Sequence, residues 1–135
     1  MNDYRGKTKE GKWVYGDLIH ICDKIFIGLY TEESEGEWEG YGKVWDMFEQ
    51  LLGYSEVIPE SVGQFTGYQL NEEKIHEGDI ISNGEGDIGV VVYDNKKASF
   101  GVYDKNHKKI WSFPLEEYTP LPKKVGNIHE NPELL

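Results

Sequence analysis

The sequence predicts a mainly β fold, at the margin of α+β. Short twisted antiparallel strands should form small barrel- or roll-like sheets, with one short helix near residues 43–52. Three observations predict this. Nine Tyr, four Trp and five Phe join many β-branched residues, a set suited to pleated surfaces. Gly is abundant, 16 of 135 residues, which favours tight turns over long helices. Turn signals also recur at roughly ten-residue spacing through the second half.

The first strands are expected at 12–20 and 24–30, with Cys22-Asp23 between them as a hairpin turn. Ile25, Ile27 and Leu29 alternate with Phe26 and Gly28 in the second of these. Residues 31–40 read TEESEGEWEG and carry five glutamates. Like charges repeating along one face repel, so an acidic loop is expected there. In 43–52, Val44, Met47, Phe48, Leu51 and Leu52 recur at helical spacing and make one apolar stripe. Gly53 follows as a stop. Ile58-Pro59 reads as an extended linker. Further strands are expected at 64–67, 79–82, 89–93, 99–103, 109–113 and 125–130. Asn83-Gly84, Asp94-Asn95 and Lys105-Asn106 mark turns between them.

This organisation suggests an N-terminal β region over 1–58, with the acidic loop and the helix. A C-terminal β domain would follow over 59–135, with room for the two to pack as one unit. Asp plus Glu number 25 against 14 Lys plus Arg, a net charge of −11. Such acidity opposes capture of a phosphate backbone, so no nucleic acid binding is expected at ordinary salt. No apolar run is long enough for a membrane helix, and the first residues lack the apolar core of a signal peptide. One cysteine, Cys22, excludes an intrachain disulfide and suits a reducing cytoplasm.

Two segments look alike: YRGKTKEGKWVYGDLI from Tyr4 and FTGYQLNEEKIHEGDII from Phe65. Each runs from an aromatic through Gly and a polar turn to Gly-Asp and two aliphatics, with one gap needed. The physical reading is a strand, a turn and a strand entry. Asp17 and Asp79 are both expected to accept backbone N–H bonds beside Gly16 and Gly78.

At these residues the sequence resembles the YopX family of phage and prophage proteins. The resemblance rests on Val62-Gly63-Gln64-Phe65-Thr66-Gly67, on Ile75-His76-Glu77-Gly78-Asp79-Ile80, and on the stretch from Val125 to Leu135. Tyr4-Arg5-Gly6 and Trp13-Val14-Tyr15-Gly16-Asp17 add to it. Residues 31–54 have no counterpart, and Tyr68 to Asn71 depart from the Lys-, Asp- and Gly-rich turn common in the family. The resemblance implies a mainly β protein without assigned activity in a host bacterial cytoplasm. It carries over no catalytic, cofactor or metal residues.

The chemical motifs all have plainer structural explanations. Gly84-Glu85-Gly86-Asp87-Ile88-Gly89 matches a dinucleotide fingerprint but leads into Val90-Val91-Val92-Tyr93, a strand rather than a helix. His20, His76, His107 and His129 lack the spacing that anchors zinc, even with Cys22, Glu77 and Glu130 nearby. Asp17, Glu77 and Asp79 could pair as catalytic carboxylates, but turn capping explains them. Cys22 is expected as a buried small hydrophobe. Ser61 and Ser82 lack a nucleophile elbow. The aromatics could stack single-stranded nucleic acid, but the lysines lie on separate turns that need not share a side. No catalytic, cofactor or metal residue is therefore assigned.

The expected function is that of a phage or prophage accessory protein acting by non-enzymatic binding. Its partner would be a host or phage protein, or a second copy covering exposed strand edges. The rival class is nucleic-acid-directed: a single-strand binder, or an acidic decoy of a host DNA-binding protein.

Overall fold

Hairpins between strands adjacent in the chain build most of the molecule. The computed structural model describes residues 3–28 and 53–135. The helix expected at 43–52 and the acidic loop expected at 31–40 lie outside the described residues. The chain divides into two compact units, Met1–Gly63 and Gln64–Leu135.

In the first unit, β1 (Tyr4–Lys7), β2 (Trp13–Ile21), β3 (Lys24–Gly28) and β4 (Tyr54–Glu56) run antiparallel in the order β4-β3-β2-β1. The polar loop between β1 and β2 closes on Thr8, whose hydroxyl accepts the Lys12 N–H at 3.1 Å. Cys22-Asp23 turns the chain between Ile21 and its partner Lys24, as the hairpin reading requires. Cys22 itself is exposed, not buried. It occupies the turn with φ 56°, where the side chain projects beyond the last strand pair.

Gly16 lies opposite Tyr4 on one side of β2, and its neighbour Asp17 lies opposite Gly28 on the other. A Cβ on Gly16 would stand 2.0 Å from the Gly28 carbonyl oxygen. This glycine thus permits a close approach of two strands inside a sheet. The expectation that Asp17 caps a turn is accordingly wrong: the ladder already occupies the backbone there, and the Asp17 side chain is exposed. Ile27 and Val57 are buried in this unit, and the Arg5 guanidinium lies 5.0 Å from the Trp13 ring centre. The buried Ser61 hydroxyl accepts the Lys7 N–H at 2.7 Å and donates to the Ile58 carbonyl at 2.6 Å. Ser61 thereby ties the segment after β4 to the end of β1.

The second unit opens with a hairpin of β5 (Gly63–Leu70) and β6 (Glu73–His76). Five strands follow: β7 (Asp79–Ser82), β8 (Ile88–Asp94), β9 (Ser99–Tyr103), β10 (Lys109–Ser112) and β11 (Lys123–Asn127). They form an antiparallel sheet in the order β10-β9-β8-β7-β11. The sheet is open, so the barrel alternative fails. After β10 the chain passes through a proline-rich stretch and returns to the far edge, where β11 pairs with β7. The two edges therefore never meet.

The core of this unit gathers Leu70, Ile75, Ile81, Val91, Val102, Trp111 and Leu115. Ile81, Val91 and Val102 come from adjacent strands, one face of each being apolar. Strands β7 and β9 match the expected bounds. β1 is the strand expected to open the first copy of the repeat. β4 and β6 went unforeseen: YSE and EKIH are short and polar, and pairing with neighbours makes them strands rather than their own propensity.

Leu70 faces Glu73 across a two-residue turn, Asn71-Glu72, and both turn residues have positive φ, 51° and 67°. That is the type I′ geometry, whose second position favours glycine. Glu72→Gly should raise stability by about 0.5–1 kcal/mol, because the left-handed penalty of a residue with Cβ exceeds the extra entropy of glycine. A urea midpoint that falls instead would show that the Glu72 side chain contributes more than its backbone strain costs.

Candidate functional site

Two places in the second unit merit attention, and the sequence pointed to only one of them. The first is the turn from β6 into β7. Asp79 is fully buried. Its Oδ2 accepts the His76 N–H at 2.7 Å and lies 3.6 Å from Lys124 Nζ on β11. Gly78 has φ 93°, its N–H donates to the Val91 carbonyl, and its own carbonyl accepts the Ile128 N–H. The second half of the repeat is therefore the capped turn that the sequence suggested. His76 is buried beside it, with its ring 5.5 Å from that of Phe65. Glu77, half-buried, bonds through its backbone to Gln64.

The second place is a groove of about 740 Å³ over β8 and the turns at either end of β9. Val90 and Val92 are two apart on β8 and share a face of the sheet. Tyr103 pairs with Val90, and Gly101 pairs with Val92. A Cβ on Gly101 would approach the Tyr103 ring to 3.1 Å, so the ring lies along β9 over the glycine. The Tyr103 hydroxyl then reaches Asp94 Oδ2 at 3.0 Å. Val92 and Tyr93 remain 37% exposed, and Leu135 lines the far wall with 38% exposure.

Lysines border this trough. Lys96 belongs to the β8–β9 turn and Lys105 to the β9–β10 turn, and both line the groove. One lysine from each turn thus lines the same groove, a question the sequence left open, alongside Asp94 and Asp104. Both turns are built by aspartates. Asp94 Oδ1 accepts the N–H groups of Lys96 and Lys97, and Asp104 Oδ1 accepts those of Asn106 and Lys108. The Lys96 amide is the main reason the Asp94 carboxyl sits below its ordinary range, with the Tyr103 hydroxyl adding to the effect. Loss of solvation is the main cause that raises the Tyr103 phenol, reinforced by Asp94. A depressed carboxyl stabilises above its unfolded pKa and loses that effect only as pH falls through the folded value. At neutral pH this tip is a charged carboxylate held by amides and a neutral phenol.

A family model described as YopX protein matches residues 3–135. The chain belongs to the YopX family. No curated protein matches it. The YopX match takes in both the Asp79 turn and the groove.

The remaining residues weighed for chemistry in this YopX chain are scattered. His20 lies exposed on β2, His107 exposed in the β9–β10 turn and His129 half-buried after β11. Among the described residues no three His, Cys, Asp or Glu side chains gather as a metal ion would require. Ser82 Oγ accepts the Gly84 N–H. The Gly84 to Gly89 run is a hairpin loop organised by Asn83, whose Oδ1 accepts the N–H groups of Glu85 and Asp87. It leads directly into β8, so no helix N-terminus follows it. No described helix is long and apolar enough to cross a membrane.

The groove itself was not foreseen. Its one signal was Val90-Val91-Val92-Tyr93, an unbroken apolar run. Such a run implies bulk on both faces of a strand, here Val91 toward the core and Val90 and Val92 away from it.

Proposed function

We propose that the chain is a non-enzymatic protein-binding module of a phage or prophage, working in the host cytoplasm. The groove carries this reading. Half-exposed valines and tyrosines on a rigid sheet, bordered by polar turns, have the make-up of a protein recognition surface: an apolar centre and a charged rim. The supporting residues are held by backbone ladders and Asx turns, so the surface is formed before any partner arrives.

Val92→Asp tests this. Val92 is exposed enough for a polar replacement to leave the fold intact, with surface changes typically within about 0.5 kcal/mol. The wild-type chain should capture a defined partner from host lysate, and Val92→Asp should lose it while its melting curve is unchanged. Equal capture by both proteins would remove the groove from the binding surface.

A further inference from the structure

Cross-strand partners in an antiparallel sheet put their side chains on the same face. Gly126, Ile80, Val90 and Tyr103 are successive partners across β11, β7, β8 and β9, so they form one row on the face away from the core. A Cβ on Gly126 would stand 2.4 Å from Asn131 Oδ1, so Asn131 lies over this end of the row. Leu135 lines the groove with Val90 and Tyr103, and also lines a smaller recess of about 270 Å³ beside Ile88 and Ile110. Residues 131–135 therefore run across the sheet from β11 to β8. The lengths agree. Pro132–Leu134 is a 3₁₀ turn. Such a turn advances about 2 Å per residue, or about 8 Å from Asn131 to Leu135. Two strand spacings come to about 9.5 Å, and the Leu135 side chain makes up the difference. Ile80, the member of the row under this span, is fully buried, whereas Val92, in the next row, is 37% exposed.

The segment is fixed at one end and lightly held at the other. Asn131 N–H donates to the Asn127 carbonyl at 2.8 Å, and Asn131 Oδ1 accepts the Asn127 N–H at 3.3 Å. Beyond this point the N–H groups of Leu134 and Leu135 donate to the carbonyls of Asn131 and Pro132, within the segment. What the tip gives the sheet is the Leu135 side chain, set between the groove and the smaller recess and 38% exposed. We infer that residues 131–135 are a displaceable strap over the groove, closed in the free chain by Leu135. A partner's apolar side chain that reaches Val90 competes with Leu135 for it. This rests on the groove being a protein-binding surface and adds how access to it is controlled. Burial of most of a leucine side chain favours the closed strap by a factor on the order of ten. That keeps it shut in the free chain and leaves it within reach of a partner's binding energy.

The probe is the apolar dye anilinonaphthalene sulfonate, titrated by fluorescence into the full chain and its variants. A ligand that needs the open groove is weakened in proportion to the closed fraction. Leu135→Ala should therefore bind the dye about three- to tenfold more tightly than wild type. Leu134→Ala, equally exposed but lining neither recess, should bind it like wild type. The Val90 methyl resonances should move in Leu135→Ala and stay in place in Leu134→Ala. Both leucines are exposed enough for the fold to persist, which circular dichroism checks. Equal dye binding by wild type and Leu135→Ala would overturn the strap and leave the protein-binding reading standing, since Val92→Asp tests that reading alone. An equal gain in Leu134→Ala would overturn the role given to Leu135. Tightening that persists when Val92→Asp is added to Leu135→Ala would place the dye outside the groove and overturn the proposal.

Discussion

Asp79→Ala should destabilise the second unit by about 2–4 kcal/mol, well beyond the loss of an ordinary turn cap. The carboxylate has no exposure to solvent, and it serves two elements at once. It holds the His76 N–H at 2.7 Å, which fixes the turn out of β6, and it faces Lys124 of β11 at 3.6 Å. Removing it strands a buried amide and leaves Lys124, whose side chain is only 25% exposed, without that counter-charge. Urea denaturation gives the size of the loss, and hydrogen exchange locates it, since the His76 amide should lose protection. Asp79→Asn separates the two roles: it keeps an acceptor for His76 but removes the charge. If Asp79→Asn proves as stable as wild type, the ion pair with Lys124 contributes nothing.

Gly16→Ala should disrupt the first unit by about 3 kcal/mol or more. The new methyl would lie 2.0 Å from the Gly28 carbonyl oxygen, and backbone is the part least able to move. The φ of 152° adds strain for any residue with a Cβ. Relief requires β2 and β3 to separate, and with them the pairing of Asp17 with Gly28. Broadened amide resonances confined to residues of β2 and β3 would report that separation. A fully native spectrum would mean that the strands have more freedom than their spacing implies.

The mainly β fold was legible because alternation and turn chemistry agreed along the second half. Asn83, Asp94 and Asp104 each head an Asx turn where the sequence placed one, since a carboxylate or amide two residues from an N–H needs only local geometry. The repeat was legible only in part. Gly-Asp at 78–79 is a capped turn, and Gly-Asp at 16–17 is the middle of a strand. The same letters serve a local function in one copy and a strand contact in the other, and only the pairing register distinguishes them. The groove was less legible still. Lys96 and Lys105 are nine residues apart in sequence, at opposite ends of β9, and border one groove because that strand is only five residues long. No pattern of residue types records that distance.

The position of β11 bears on the order in which the second unit assembles. In its five-stranded sheet every pairing but one joins strands consecutive in the chain. β7 through β10 can zip from local encounters, while β11 must await a finished β7 and close the chain from Ser82 to Lys123 upon it. The Asp79–Lys124 pair spans this late junction. If that closure follows the main barrier, the pair acts as a latch, and Lys124→Met is expected to speed unfolding more than it slows folding, which a chevron would show.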